Sequence, residues 1–272
     1  MKKIGFIGTG NLACAILKGV IESKLAAPED VYIYDINSEK TKSLKALYGV
    51  NVLVDECETA AECDAVLCAV KPKDMTALLA KIAPKVRMNS TLVISTAAGF
   101  ELAAVSSALG EGARAVRIMP NINASSASSM TAYCACASVT AQDVEFVEKF
   151  CSAFGKVISL EERLFSAFTA VAGSAPAFVY DFIDSLAFSA VKHGIPRQAA
   201  LEIAAQTVLG SAKTVLESEL HPRELVDRVC SPGGTTVEGV AALDKAGFAD
   251  AVISAVDATV KKDIEMKKQV KA

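Results

Sequence analysis

Lys3-Ile4-Gly5-Phe6-Ile7-Gly8-Thr9-Gly10-Asn11-Leu12-Ala13 stands at the head of the chain, and the fold follows from reading it. Residues 3–7 predict a short apolar strand, and Gly8-Thr9-Gly10-Asn11-Leu12-Ala13 then carries the G-x-G-x-x-A spacing of a dinucleotide-binding turn. Gly8 permits the tight bend out of the strand, Gly10 lets the backbone approach a pyrophosphate, and Ala13 is small enough for the following helix to pack on the sheet. No lysine stands between Lys3 and Lys18, which suits a site where the N–H groups and dipole of a helix N-terminus hold the anion. Residues 11–23 read as that helix and Val31-Tyr32-Ile33-Tyr34 as the next strand. Asp35 therefore falls about 20 residues past the motif, where an acid meets the adenosine ribose. Met1-Lys2-Lys3 before an apolar stretch imitates a secretory leader, but three glycines and Asn11 interrupt the stretch.

Working outward, short β-branched runs alternate with helical stretches up to about Leu160. Strands are predicted at 3–7, 31–34, 65–70, 91–95, 115–118, 131–135 and 156–159, with helices at 38–47 and 73–86 showing apolar residues at three-to-four spacing. This is the pattern of βαβ units in an α/β fold, a Rossmann-type doubly wound and mostly parallel sheet over residues 1–160. Residues 161–272 read as helices only, broken by Gly173, Gly194-Ile195-Pro196, Pro222, Pro232-Gly233-Gly234 and Gly247. Residues 174–193 are apolar on nearly every face and 201–216 almost as much, whereas a surface helix has a polar half. Helices this apolar cannot hide one another within one small domain, which predicts a homodimer through the all-α domain.

A net charge of −3 predicts no nucleic-acid partner, and the lack of an uninterrupted apolar run of about 18 residues predicts a soluble protein with no membrane partner. Eight cysteines contain no C-x-x-C pair and only His193 and His221 accompany them, so no metal site is expected. Cysteines inside apolar runs, such as Cys68, behave as small buried hydrophobes, and a reduced, cytoplasmic protein is the simplest account.

Three further stretches are placed for chemistry. Ala69-Val70-Lys71-Pro72 follows a strand at the carboxyl edge of the sheet, where open α/β folds bind ligands, and Lys71 there reads equally as a ligand for a phosphate, carboxylate or ribose or as a solvated turn residue. Met119-Pro120-Asn121 ends another strand at that edge, with Asn121 able to orient an amide or carbonyl, though taken alone the stretch reads as a turn. Ser231-Pro232-Gly233-Gly234-Thr235-Thr236 precedes a helix expected at 237–246; its glycines open the backbone to an anion and Thr235 or Thr236 can cap the helix while a hydroxyl stays free, although without the nucleotide domain a helix–helix connection with a threonine N-cap is the plainer reading. Neither histidine reads as an acid or base, because His193 closes one helix and His221 opens another.

These motifs, together with Gly173-Ser174-Ala175-Pro176-Ala177-Phe178 and Ala204-Ala205-Gln206-Thr207-Val208-Leu209-Gly210, occur in the order found in pyrroline-5-carboxylate reductases, which the chain resembles over nearly its whole length. The resemblance implies NAD(P)H-dependent reduction of the C=N bond of 1-pyrroline-5-carboxylate to L-proline, on a helical domain interlocked between two subunits, with some relatives assembling five dimers into a decamer. It puts the nicotinamide near Lys71 and Asn121, the substrate carboxylate on the N–H groups of Gly233, Gly234 and Thr235 beside Ser231, and the Thr236 hydroxyl at the ring nitrogen, with Lys71 and Thr236 as the residues closest to the chemistry. Glu219 is a further polar group for the substrate nitrogen, with a solvated helix-end glutamate as the plainer reading. Asp35 leans toward NADH, while Asn37, Ser38 and Lys40 stand close enough to meet the 2'-phosphate of NADPH if Asp35 turns away.

The sequence departs from the family at two places. Ile122 to Ser129 replaces a proline and two glycines, so this loop is not expected to follow the family's backbone path at every position, because residues with a Cβ avoid φ > 0. Ala175 and Phe178 replace a glycine and a tyrosine. The altered loops leave open a reductase of another cyclic imine, or a non-catalytic nucleotide-binding paralogue.

Overall fold

The computed structural model describes residues 2–271, with side chains through Lys267, so Met1 of the leader-like stretch lies outside it. Among the described residues eight strands form one sheet: β1 Ile4–Ile7, β2 Val31–Tyr34, β3 Asn51–Val52, β4 Ala65–Cys68, β5 Leu92–Ser95, β6 Arg114–Met119, β7 Ser129–Ala135 and β8 Gly155–Ser159. Their spatial order is β3-β2-β1-β4-β5-β6-β7-β8, and neighbours run parallel except β6 and β7. The order reverses between β1 and β4, the switch point at which such sheets open a crevice beyond their carboxyl ends. Only β3 had no forerunner in the sequence, since two residues cannot show an alternation.

Six helices cross between strands: α1 Asn11–Glu22, α2 Ser38–Tyr48, α3 Glu56–Glu62, α4 Pro72–Ile82, α5 Leu102–Leu109 and α6 Ala141–Ser152. Successive strand residues point to opposite faces, and the core divides accordingly. Ile4, Phe6, Leu67 and Ile94 pack with Ile16, Leu17 and Val20 of α1 and Val147 and Phe150 of α6. Ile7, Val66, Cys68 and Val93 pack the other way, with Met75, Leu79 and Ile82 of α4 and Val105 of α5. Each fully buried side chain of this kind stabilises the fold by about 1.5–3 kcal/mol. Cys63 and Cys68 belong to the second layer, and burial pushes their thiols up to about 12, as suits packing groups.

After β8 the described residues are helical. α7 (Phe165–Phe168) continues into a π-helical stretch, Thr169–Ser174, and then α8 (Ala175–Lys192), α9 (Arg197–Glu217), α10 (Pro222–Val229), α11 (Thr235–Lys245) and α12 (Phe248–Lys271). Two compact units result, Met1–Ser174 with Thr259–Ala272, and Ala175–Ala258. In the second unit α8 and α9 meet through the buried Ala187, Ala200 and Ala204. Larger side chains stay outside: Val179, Tyr180, Phe182, Leu186 and Phe188 are between 37% and 64% exposed, and Leu201, Ile203, Leu209 and Leu216 between 48% and 68%. A unit that buries alanines and leaves its aromatic and branched residues in water lacks the core that would hold it by itself.

The divergent loop after β6 holds a residue with a Cβ at positive φ. Ile122–Ser126 form a 3-10 turn closed by Ala127, which takes φ 54° and ψ 30°. An alanine thus adopts the left-handed conformation, at a cost of about 1–2 kcal/mol, held by its own N–H to Ala124 O (3.2 Å) and by Ser128 N–H to Asn123 O (3.0 Å). Ala127 is exposed, so its Cβ gains nothing from the core. Replacing it with glycine relieves the strain and adds some freedom to the unfolded chain; Ala127→Gly is expected to stabilise the protein by about 0.5–1 kcal/mol in denaturant titrations, whereas a loss of stability would show that the strain is absorbed elsewhere.

Candidate active site

The glycine turn sits at the switch point. Gly8 leaves β1 with φ 94°, and its N–H donates to Tyr34 O at the end of β2 (2.8 Å). A Cβ placed on Gly8 would lie 2.7 Å from Ala69 O, so the turn after β1 rests directly on the Ala69-Val70-Lys71-Pro72 turn after β4. Gly10 is the N-cap of α1 with ordinary dihedrals, no side-chain cap and open space where a Cβ would stand. The first N–H groups of a helix have no partner within it, and here they face free room, a cradle that fits a pyrophosphate. Thr9 and Ala13 are buried beneath it, while Asn11 is exposed and Leu12 half-buried at the start of α1.

Asp35 is bound more tightly than the sequence suggested. Its Oδ2 accepts from Thr9 N–H (2.7 Å) and from the Thr9 hydroxyl (2.9 Å), and its Oδ1 accepts from Asn37 N–H (2.8 Å). Burial alone would raise its pKa, but the N–H groups of Asn37 and Thr9, the Thr9 hydroxyl and the charge of Lys40 outweigh burial and hold the carboxyl below its usual range. Asp35 is therefore a charged clasp on the glycine turn, with acceptor capacity remaining on Oδ1, which takes one hydrogen bond. Asn37 caps α2 by accepting from Glu39 N–H (3.1 Å), and it stands exposed with Ser38 and Lys40 at that helix start.

Lys71 is the N-cap of α4, exposed, with Pro72 in the first turn where its missing N–H costs nothing. Asn121 follows β6 as expected, but it is only 7% exposed and both ends of its carboxamide are engaged: Oδ1 accepts from Asn123 N–H (3.1 Å) and Nδ2 donates to Ala172 O (2.8 Å). Its own N–H donates to the hydroxyl of Ser129 (3.1 Å), a buried residue that sequence reasoning left in the loop, because β7 starts two residues before the predicted strand.

The second unit carries the other half of the proposed residues. Ser231 O accepts from Gly234 N–H (3.0 Å), and Gly233 takes φ 68° inside that turn. A Cβ on Gly234 would displace the Ser231 hydroxyl, and the position in this loop that calls for glycine is Gly233, by its positive φ. α11 begins at Thr235, two residues earlier than the sequence indicated, and Gly234 is its N-cap without any side-chain bond. Neither threonine caps the helix. The Gly234 N–H is spent within the turn, which leaves Gly233, Thr235 and Thr236 as the N–H groups open to an anion. Thr236 is half-buried, and Glu219 lies exposed between α9 and α10.

The match with known proteins covers both units. A family model described as pyrroline-5-carboxylate reductase dimerisation matches residues 162–266, and one described as NADP oxidoreductase, coenzyme F420-dependent, matches residues 3–99. The pyrroline-5-carboxylate reductase of Escherichia coli (strain K12) is 40% identical over 98% of this chain and 99% of its own. A pyrroline-5-carboxylate reductase structure from Coxiella burnetii superposes with a TM-score of 0.92 at 30% identity, covering 97% of this chain and 98% of that one. The Plasmodium falciparum enzyme, solved with NADP bound, superposes with a TM-score of 0.87 at 29% identity over 98% of each. With relatives this similar along its full length, the chain belongs to the pyrroline-5-carboxylate reductase family.

Proposed function

We propose that the chain reduces 1-pyrroline-5-carboxylate to L-proline with NAD(P)H, dividing the work between the two units. The uncapped start of α11 supports the substrate side: the N–H groups of Gly233, Thr235 and Thr236 are taken neither by the turn bond nor by a side-chain cap. A carboxylate fits such donors, and charge-assisted N–H bonds are about twice as strong as neutral ones. The turn from Gly8 to Ala13 holds the pyrophosphate by the same physics, with Ala69 to Pro72 forming the neighbouring wall and Lys71 supplying a positive charge. The bound nicotinamide supplies a hydride to the carbon of the C=N bond. The Thr236 hydroxyl sits on the first turn of α11, where its oxygen accepts from the iminium N–H and fixes the ring's face. A substrate that arrives as iminium needs no proton from a histidine. Glu219 is assigned the weaker task of a polar neighbour to that nitrogen.

The exposed apolar face of α8 and α9 supports dimerisation through the helical unit, and assembly of dimers into a pentamer is the further form we propose. All eight cysteines are unpaired, and among the described residues no helix is long and apolar enough to cross a membrane, which supports a cytoplasmic site of action.

Pyrroline-5-carboxylate is expected to oxidise reduced nicotinamide in the presence of the protein, and Thr236→Ala to lower kcat about 10²-fold while cofactor affinity holds. Unchanged turnover in the variant would remove that hydroxyl from the reaction, and cofactor binding without any turnover in the parent would favour a paralogue that only binds nucleotide. Asp35→Asn withdraws a negative charge from the ribose end and is expected to raise kcat/KM for NADPH relative to NADH about tenfold; an unaltered ratio would assign discrimination to Asn37, Ser38 and Lys40 instead. Size-exclusion chromatography with light scattering should show no monomer at micromolar concentration, and a monomer would contradict the partnered helical face.

A further inference from the structure

β6 is fastened twice to the chain that leads into the second unit. Arg117, 1% exposed, pairs with Glu162 Oε1 (2.7 Å) and lies over the Phe165 ring with its guanidinium carbon 4.7 Å from the centroid. The same Glu162 oxygen accepts from Leu102 N–H (2.7 Å), which anchors it to the start of α5. Further along, Asn121 reaches across 51 positions of sequence to Ala172 O. Ala172 lies in the π-helical stretch Thr169–Ser174, whose last residue abuts Ala175, the first residue of the second unit. A π-helical turn is a poorer arrangement than the α-helix on either side and persists where its surroundings hold it; such turns are frequent at functional sites. Asn121 is itself held on three sides, by Ser129, Asn123 and the turn bond from Ala124 N–H to its carbonyl (3.1 Å). A rigid carboxamide is thus bolted between the carboxyl edge of the sheet and the π-helical stretch, both within the first unit.

We infer that Asn121 is a positioning residue, acting on the reaction through Ala172 and the π-helical stem instead of through the nicotinamide. The inference rests on the reductase reading above. Both ends of the carboxamide are taken, by Asn123 N–H and Ala172 O, so Asn121 acts on the site at the sheet edge through the backbone it fixes. Misplacement of reacting atoms by about 1 Å can lower a rate about 10²-fold.

Asn121→Asp tests this with the smallest change. It keeps an acceptor for Asn123 N–H and turns the donor toward Ala172 into a second acceptor, so the tie breaks while side-chain size is retained. In the full-length protein, kcat is expected to fall about 10- to 100-fold with NADPH and NADH dissociation constants unchanged within about twofold, and hydrogen exchange in peptides covering residues 169–177 to accelerate. Asn121→Ala, which removes the tie without adding charge, should reproduce the faster exchange and guards against an unfolded aspartate variant. Weaker cofactor binding with kcat preserved at saturating cofactor would overturn the inference and make Asn121 a cofactor ligand. Unaltered exchange in both variants would show that the stem does not depend on the tie. A parent protein with no turnover would defeat the reductase reading, while the exchange comparison would still decide whether the tie holds the stem.

Discussion

At Gly8 the chain has room for a hydrogen and no more. The backbone turns there at φ 94° against the carbonyl of Ala69, and the two strands that diverge from the switch point are thereby kept in register at the edge where they part. The open N–H groups of α1, the clasp of Asp35 on Thr9 and the exposed N-cap at Lys71 are all referred to that contact. A side chain at this position would push the β1 turn off the β4 turn and separate the anion cradle from its wall. The sheet's two hydrophobic layers, built from alternate residues of β1, β4 and β5, supply the stiffness that makes such a close approach worth holding.

The helical unit solves a different problem. Its small buried residues let α8 and α9 approach closely, and its large ones are left for another surface. On that scaffold the Ser231 to Thr236 loop spends one of its N–H groups on its own closure and leaves the rest unanswered. Both halves of the proposed site therefore use the same device, a glycine-bearing turn ahead of an uncapped helix, once for a pyrophosphate and once for a carboxylate. Neither requires a catalytic histidine.

What could be read from sequence was what is encoded locally. The first strand, its turn and α1 came from spacing, and the change from sheet to helices after β8 from the end of β-branched alternation. The misses share a cause. Two residues of β3 are too few to show a period, the left-handed Ala127 breaks the rule by which residues are assigned to turns, and the early start of α11 depends on a turn bond that leaves no mark on composition. The commitment of Asn121 to Ala172 is invisible for a stronger reason, because its partner is a backbone carbonyl remote in sequence that any residue would supply. Asp35 was found in its place, while the bonds that occupy it were not.

The alanines at the α8–α9 contact carry one more consequence. If most of the apolar surface of Ala175–Ala258 is covered only by another copy, then the folding of this segment is a bimolecular event, governed by mass action as well as by sequence. The thermal midpoint of such a protein shifts with its concentration. In a dilute cell extract the Ser231 to Thr236 loop would lose its scaffold before the nucleotide turn lost its own, so the two halves of the proposed site would fail at different dilutions.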